Sequence, residues 1–141
     1  MYHSITLGTK NTWDDWHLIP TSRPLFNPPP VKTSYIETPG LDGALDTTLE
    51  ETDRPRYKNR TGSWEFYVEN GFRDPFALYS EIMRHLQGQR MRAVLEDDPG
   101  YSYDGRFRVS AWKSGPDRSQ ITIEYDVAPY KQEIGGIASI L

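Results

Sequence analysis

Residues 101–113 read Tyr-Ser-Tyr-Asp-Gly-Arg-Phe-Arg-Val-Ser-Ala-Trp-Lys and residues 120–127 read Gln-Ile-Thr-Ile-Glu-Tyr-Asp-Val, with Gly115, Pro116 and Asp117 between them. In the second segment Ile121, Ile123, Tyr125 and Val127 alternate with Thr122, Glu124 and Asp126. That period of two turns one set towards a buried sheet face and the other towards water. In the first segment Phe107, Val109 and Ala111 take the inward positions and Arg106, Arg108 and Ser110 the outward ones. Trp112 falls on the outward parity, so it is either a bulge residue or a contact. Two such segments joined by a turn make a long antiparallel hairpin, and the fold is built around it.

Working outward, Ser63 to Asn70 alternates in the same way, with Trp64, Phe66 and Val68 on one face and Glu65, Tyr67 and Glu69 on the other. Asp74-Pro75 then supplies an N-cap and a first-turn proline, Leu78, Ile82 and Leu86 fall at i, i+4 and i+8, and Gly88 ends the run. This predicts a helix over about 75–87, whose single apolar stripe needs a sheet face or end to cover. Met91 to Leu95 reads as a short strand, Glu96 to Gly100 as an acidic turn, and Ser4 to Leu7 as a short opening strand. The predicted class is mainly β, an antiparallel β-sandwich or split barrel with one packed α-helix.

Prolines at 20, 24, 28, 29 and 30 fix φ and remove backbone donors. Pro20 to Pro30 is therefore expected to be extended, outside any central strand, a stiff spacer feeding a strand near Val31 to Glu37. From about 38 to 60 no period is sustained. Asp42-Gly43 between Leu41 and Leu45 suggests a small hairpin, and a stretch of this length reads as an arm serving a partner. The chain divides into a β domain over 1–131 and a short apolar tail over 132–141, which either docks on a neighbour or frays.

The 141 residues suit one domain. Sixteen Lys and Arg against 20 Asp and Glu give a net charge of −4, which argues against tight, charge-driven DNA binding. The absence of Cys excludes thiol nucleophiles, disulfides, iron–sulfur clusters and cysteine zinc sites. With a mean hydropathy of −0.71 and no run of 18 apolar residues, neither a secretory signal nor a membrane span is read, and a soluble product of a cytoplasm is expected. His3, His17 and His85 lack metal-ligand spacing, the acids at 96, 97, 98 and 104 lack a calcium-loop pattern, and no nucleophile elbow or phosphate loop occurs. No catalytic residue, metal or cofactor is assigned, and a non-enzymatic role is expected. The candidate residues are those of an interface. Trp13 and Trp16 are the best exposed anchors, ahead of the proline run. Leu41 and Leu45 flank the small hairpin, and Ile137 and Ile140 mark the tail. Arg54, Arg56, Lys58 and Arg60, beside Glu50, Glu51 and Asp53, suit salt bridges to a like subunit. Trp64 is read as core.

The run Asn11-Thr-Trp-Asp-Asp-Trp-His-Leu-Ile-Pro-Thr-Ser-Arg-Pro24, then Pro39-Gly40 with Asp42-Gly43, Tyr57-Lys-Asn-Arg60, Gly62-Ser-Trp-Glu-Phe66 and Leu95-Glu-Asp-Asp-Pro-Gly-Tyr101 resembles the distal tail protein family of long-tailed, siphovirus-type bacteriophages and prophages. The resemblance runs from about Met1 to Lys131. It implies an N-terminal β-sandwich domain with a helix, assembled as a hexameric ring that joins the tail tube to the hub or fibre protein at the tip. DNA would pass through the lumen without specific binding. It further implies a virion protein made in the host bacterial cytoplasm, with no membrane association. Longer relatives carry a second, carbohydrate-binding-like domain, whereas some ten residues follow Lys131, so a short form with the ring domain alone is expected. A tail-tube or tube-terminating subunit is the alternative within the structural class, and a small module binding host wall sugars through exposed Trp the alternative outside it.

Overall fold

The computed structural model describes residues 2–32, 35–37, 40, 44–46, 56–69, 74–115 and 118–141. In chain order the strands are β1 (Ile5–Leu7), β2 (Lys10–Asn11), β3 (Leu18–Pro20), β4 (Tyr35–Glu37), β5 (Ala44–Asp46), β6 (Arg60–Val68), β7 (Arg90–Leu95), β8 (Asp98–Ser114), β9 (Ser119–Val127), β10 (Lys131–Glu133) and β11 (Ser139–Ile140). The helix α1 (Pro75–Leu86) lies between β6 and β7. The main sheet runs β2-β1-β7-β8-β9-β6-β3 with every neighbouring pair antiparallel, and it curls into a half-barrel. The mainly β class with one helix is as predicted, in its split-barrel form: a single curled sheet supplies the facing walls of the core.

The β8–β9 hairpin is the spine, and two irregularities in β8 shape it. Val109 faces Ile123 while Ala111 faces Thr122, so Ser110 is an extra residue. A one-residue slip exchanges the two faces of a strand beyond it. Ala111 is consequently exposed, not inward as its parity predicts, and Trp112 turns in opposite Ile121 against Tyr79 of α1, with ring centroids 4.9 Å apart. The bulge residue is Ser110. Nearer its start, β8 pairs Asp98 with Leu95 and then Tyr103 with Ala93, so residues 99–102 step off β7. The acidic turn therefore closes over Glu96 and Asp97 alone, and Pro99, which has no N–H to give, stands where β8 leaves its neighbour. The displaced Tyr101 and Ser102 pair with Glu133 and Gln132, which seats residues 132–141 as a small hairpin along β8.

The helix forms as predicted. Asp74 Oδ1 accepts the Phe76 N–H at 3.2 Å, and Leu78, Ile82 and Leu86 are fully buried among Ile5, Leu7, Phe66, Phe107 and Ile123 of the sheet. The proline-rich segment is more than a spacer, because Phe26 is driven into the barrel, stacked on Tyr103 at 3.9 Å and edge-on to Trp64 and Tyr125. Its backbone is strapped down on both sides of that ring. Trp64 Nε1–H donates to the Leu25 carbonyl at 3.0 Å, and the Asn27 N–H donates to the Tyr125 hydroxyl at 2.7 Å. The strand expected over Val31 to Glu37 is divided: Val31 makes an isolated bridge with Tyr57, and β4 pairs with β5 in a two-stranded sheet of its own. That pair is the small hairpin expected around Asp42-Gly43, whose turn residues 41–43 lie outside the described residues.

Candidate assembly surfaces

Residues 11–18 tie together the two edge strands, β2 and β3. Thr12 sits at the seam, fully buried. Its N–H donates to the Ile5 carbonyl and its Oγ1 accepts the Ile5 N–H, each at 3.0 Å, while its carbonyl accepts the Leu18 N–H at 2.8 Å. The intervening turn is capped reciprocally. Asn11 Oδ1 accepts the N–H groups of Trp13 and Asp14 at 2.9 and 3.0 Å, and Asp15 Oδ2 accepts the Asn11 N–H at 2.7 Å. Trp16 then fills the barrel beneath the seam, fully buried and edge-on to His85 of α1 at 5.6 Å. It is core, not the exposed anchor expected, because an interior packed to ordinary density has to be filled by a large side chain where the two sheet edges meet.

Trp13 does reach the surface, half-buried, but both faces of its indole are covered: Tyr2 stacks on one at 3.8 Å and His17 on the other at 4.6 Å. His17 Nδ1 lies 2.5 Å from Glu69 Oε2, and Asp14 is exposed beside the stack. The result is an aromatic pad edged by carboxylates.

On the outer face of β6–β9 the sheet carries rows of charge. Arg90 faces Arg106, which faces Asp126, which faces Thr61, and the next row runs Arg108, Glu124, Ser63. Arg90 Nη2 pairs with Asp104 Oδ2 at 3.3 Å and Arg108 with Glu124. Asn59 Nδ2 donates to Asp126 at 2.9 Å, and Gln120 Nε2 to Glu65 at 3.1 Å. Over the short side chains of Thr61 and Ser63 opens a hollow of about 660 Å³, flanked by Arg106 and Arg108. None of the sequence candidates falls on this face, whose signal in the sequence is the Arg-x-Arg of residues 106–108 set against the Glu-x-Asp of residues 124–126.

The remaining candidates are scattered. Arg60 is buried: its Nε donates to the Pro129 carbonyl at 3.0 Å and its guanidinium lies over the Tyr103 ring at 5.5 Å. The inward parity of Trp64 and Phe66, continued back along β6, puts Arg60 inside, which removes it from any intersubunit salt bridge. Arg56 and Lys58 are exposed on a ribbon where Lys58 N–H donates to the Pro30 carbonyl at 2.7 Å. Leu41 and Arg54 lie outside the described residues, and Leu45 belongs to β5, paired with Ile36. Ile137 and Ile140 are brought together on the C-terminal hairpin, 100% and 42% exposed, near Ile134 and Leu141.

Among the described residues four groups have shifted proton affinities, each with a structural cause. The Ser4 N–H, 2.7 Å from Glu96 Oε2, holds that carboxyl below its usual range. Asp98, 2.8 Å from Lys131 Nζ, raises the ammonium. Burial raises Tyr103 and Tyr125. Among the described residues no group of His, Asp and Glu is placed to hold a metal ion, and no helix is long and apolar enough to cross a membrane.

No family model and no curated protein matches this sequence. Among solved structures, the fold is similar to the crystal structure of SPP1 Dit (gp 19.1), described as a paradigm of the hub adsorption apparatus in phages that infect Gram-positive hosts. The TM-score is 0.64 at 13% identity, over 94% of this chain and 52% of that one. The chain thus spans about half the length of SPP1 Dit, and the likeness is one of fold.

Proposed function

We propose that this chain is a structural, non-enzymatic subunit of a phage tail tip, forming a hexameric ring between the tail tube and the hub or fibre protein. The observation that carries the reading is the half-barrel shared over 94% of the chain with a phage hub adsorption protein. The strings from Asn11 to Pro24 and from Leu95 to Tyr101 support it. In this structure they are the seam between the sheet edges and the turn where β8 departs, elements that define the fold. Size fits as well. A globule of 141 residues is about 37 Å across, and six touching in a circle leave a hole of roughly that width, enough for a DNA duplex. Six copies at −4 carry −24, a sign that repels DNA in transit from any wall the acids line.

On this reading the described domain, with the C-terminal hairpin folded onto it, is the ring element of a virion protein made in the host cytoplasm. The apolar hairpin end with Ile137 and Ile140 is the candidate contact with the tube or hub. The sugar-module alternative has less support, because Trp16 and Trp64 are buried and Trp13 is sandwiched. The test is mass in solution with negative-stain imaging. A mass near six times 16.3 kDa and a six-fold ring are expected. Filaments of stacked rings would make the chain a tube subunit instead, and glycan binding by a strict monomer would make it a sugar module.

A further inference from the structure

The two charged surfaces described above are set apart along the sheet. β8 is the middle strand of the seven on its main path, and the seam at Thr12 ties β1 to β3, so the outer face of β8 is three strands from either edge and the aromatic pad lies at the seam between the edges. Their chemistry is complementary. On the outer face the carboxylates are already engaged: Asp104 by Arg90, Glu124 by Arg108, Asp126 by Asn59 and Glu65 by Gln120. Arg92, Arg106 and Lys113 are exposed on that face, so its excess is of donors. At the pad, Tyr2 presents a ring that is 52% exposed over Trp13, Asp14 is exposed next to Trp13 in the chain, Glu69 is held by His17, and Lys10 is the single Lys or Arg between residues 2 and 22. Planar guanidinium groups both stack on aromatic faces and bind carboxylates.

We propose that copies of this chain join head to tail, the arginine face of β7–β9 on one copy seating on the Tyr2–Trp13–His17 pad and its carboxylates on the next. This rests on the ring reading and supplies its contact. A closed ring needs two different surfaces that complement each other from copy to copy, and the chemistry of these two does. Charge in the channel agrees, since arginines facing it would hold DNA, whereas arginines seated on a neighbour's acids leave the passage clear.

Light scattering on charge-reversed variants tests it. Arg92→Glu with Arg106→Glu, and separately Asp14→Arg, change exposed side chains, so both variants are expected to keep the wild-type thermal transition while association weakens about tenfold or more. A one-to-one mixture of the two is expected to regain assembly as an alternating ring near six times 16.3 kDa, because one contact joins the two unaltered surfaces and the next joins the two reversed ones. The triple variant, with both surfaces reversed, regains association. If Arg92→Glu with Arg106→Glu assembles as the wild type does, the contact is overturned and the ring stands. If the wild-type chain stays monomeric at every attainable concentration, the ring falls and this contact with it.

Discussion

The seam at Thr12 and the hairpin of β10 and β11 are both short segments that bind strands distant in sequence, and they do so by opposite means. At the seam the backbone and the Thr12 hydroxyl make three hydrogen bonds in a buried place, and the large side chain nearby, Trp16, points inward. At the hairpin, Lys131 bridges to Asp98 over the Tyr101 ring and the large side chains Ile134, Ile137 and Ile140 point outward. The seam holds the barrel shut, while the hairpin decorates it. A tryptophan or isoleucine beside a turn therefore announces nothing about its direction; the sheet edges on either side of the turn decide.

The opposition between the two segments is most exposed to test at Trp16. Trp16→Ala empties the space under the seam and is expected to lower stability by about 3–5 kcal/mol in urea or thermal unfolding. Trp16→Phe is expected to be far milder, since the buried indole Nε1–H has no acceptor among the described residues and the smaller ring still fills most of the space. Equal losses for the two variants would mean that filling the seam is not what Trp16 does. Next in size is Thr12→Ala, which strands the buried Ile5 N–H and is expected to cost about 1–3 kcal/mol, with Thr12→Ser recovering most of it.

Titration separates the two regions by sign. Glu96, lowered by the Ser4 N–H, stabilises the start of β1 above its unfolded value near 4.5, and this contribution fades as pH falls through the folded value. Lys131, raised by Asp98, stabilises the hairpin below its unfolded value near 10.5, and this contribution fades as pH rises through the folded value. Amide exchange is therefore expected to quicken first around Ser4 to Ile5 in acid and around Lys131 to Glu133 in alkali. Glu96→Gln should flatten the acid limb only. Because Tyr103 and Tyr125 are also raised and lose their contribution in alkali, Lys131→Met is the control: it is expected to cost about 0.2–1 kcal/mol near neutrality and to abolish the early exchange at the hairpin alone.

The contrast also explains what was legible in the sequence. Period-two alternation in Trp64 to Val68 and Ile121 to Val127, and the Asp74-Pro75 start of the helix, are local patterns, and they gave strands, faces and helix correctly. The Ser110 bulge has no composition signal, so parity carried past it placed Ala111 wrongly and left Trp112 open. The direction of Trp16 depends on β6 and β3 closing against the 11–18 turn, and no window of sequence contains both partners, whereas that of Arg60 follows the parity of Trp64 and Phe66 once β6 is extended back beyond Ser63. Surface pairing across β8 and β9 is carried by the same alternation as the core, because register follows from the hairpin and sets Arg106 against Asp126 and Arg108 against Glu124.

The smallest expected effect is at Ile137. Its side chain is fully exposed at the tip of the C-terminal hairpin, beyond the Glu133 N–H bond to the Ala138 carbonyl that closes the turn. Ile137→Ser is therefore expected to move the unfolding free energy by no more than about 0.5 kcal/mol, because removing a side chain that water already surrounds forfeits no burial. The informative quantity is the difference from Trp16→Ala, two large apolar residues replaced on two segments that flank turns. If Ile137→Ser proves as damaging as a core substitution in the isolated chain at low concentration, the hairpin tip is covered in the folded monomer and the opposition between the two segments collapses. If the loss appears only where the chain is assembled with a tube or hub protein, the outward isoleucines are a contact and the opposition becomes functional, the seam serving the fold and the hairpin its neighbours.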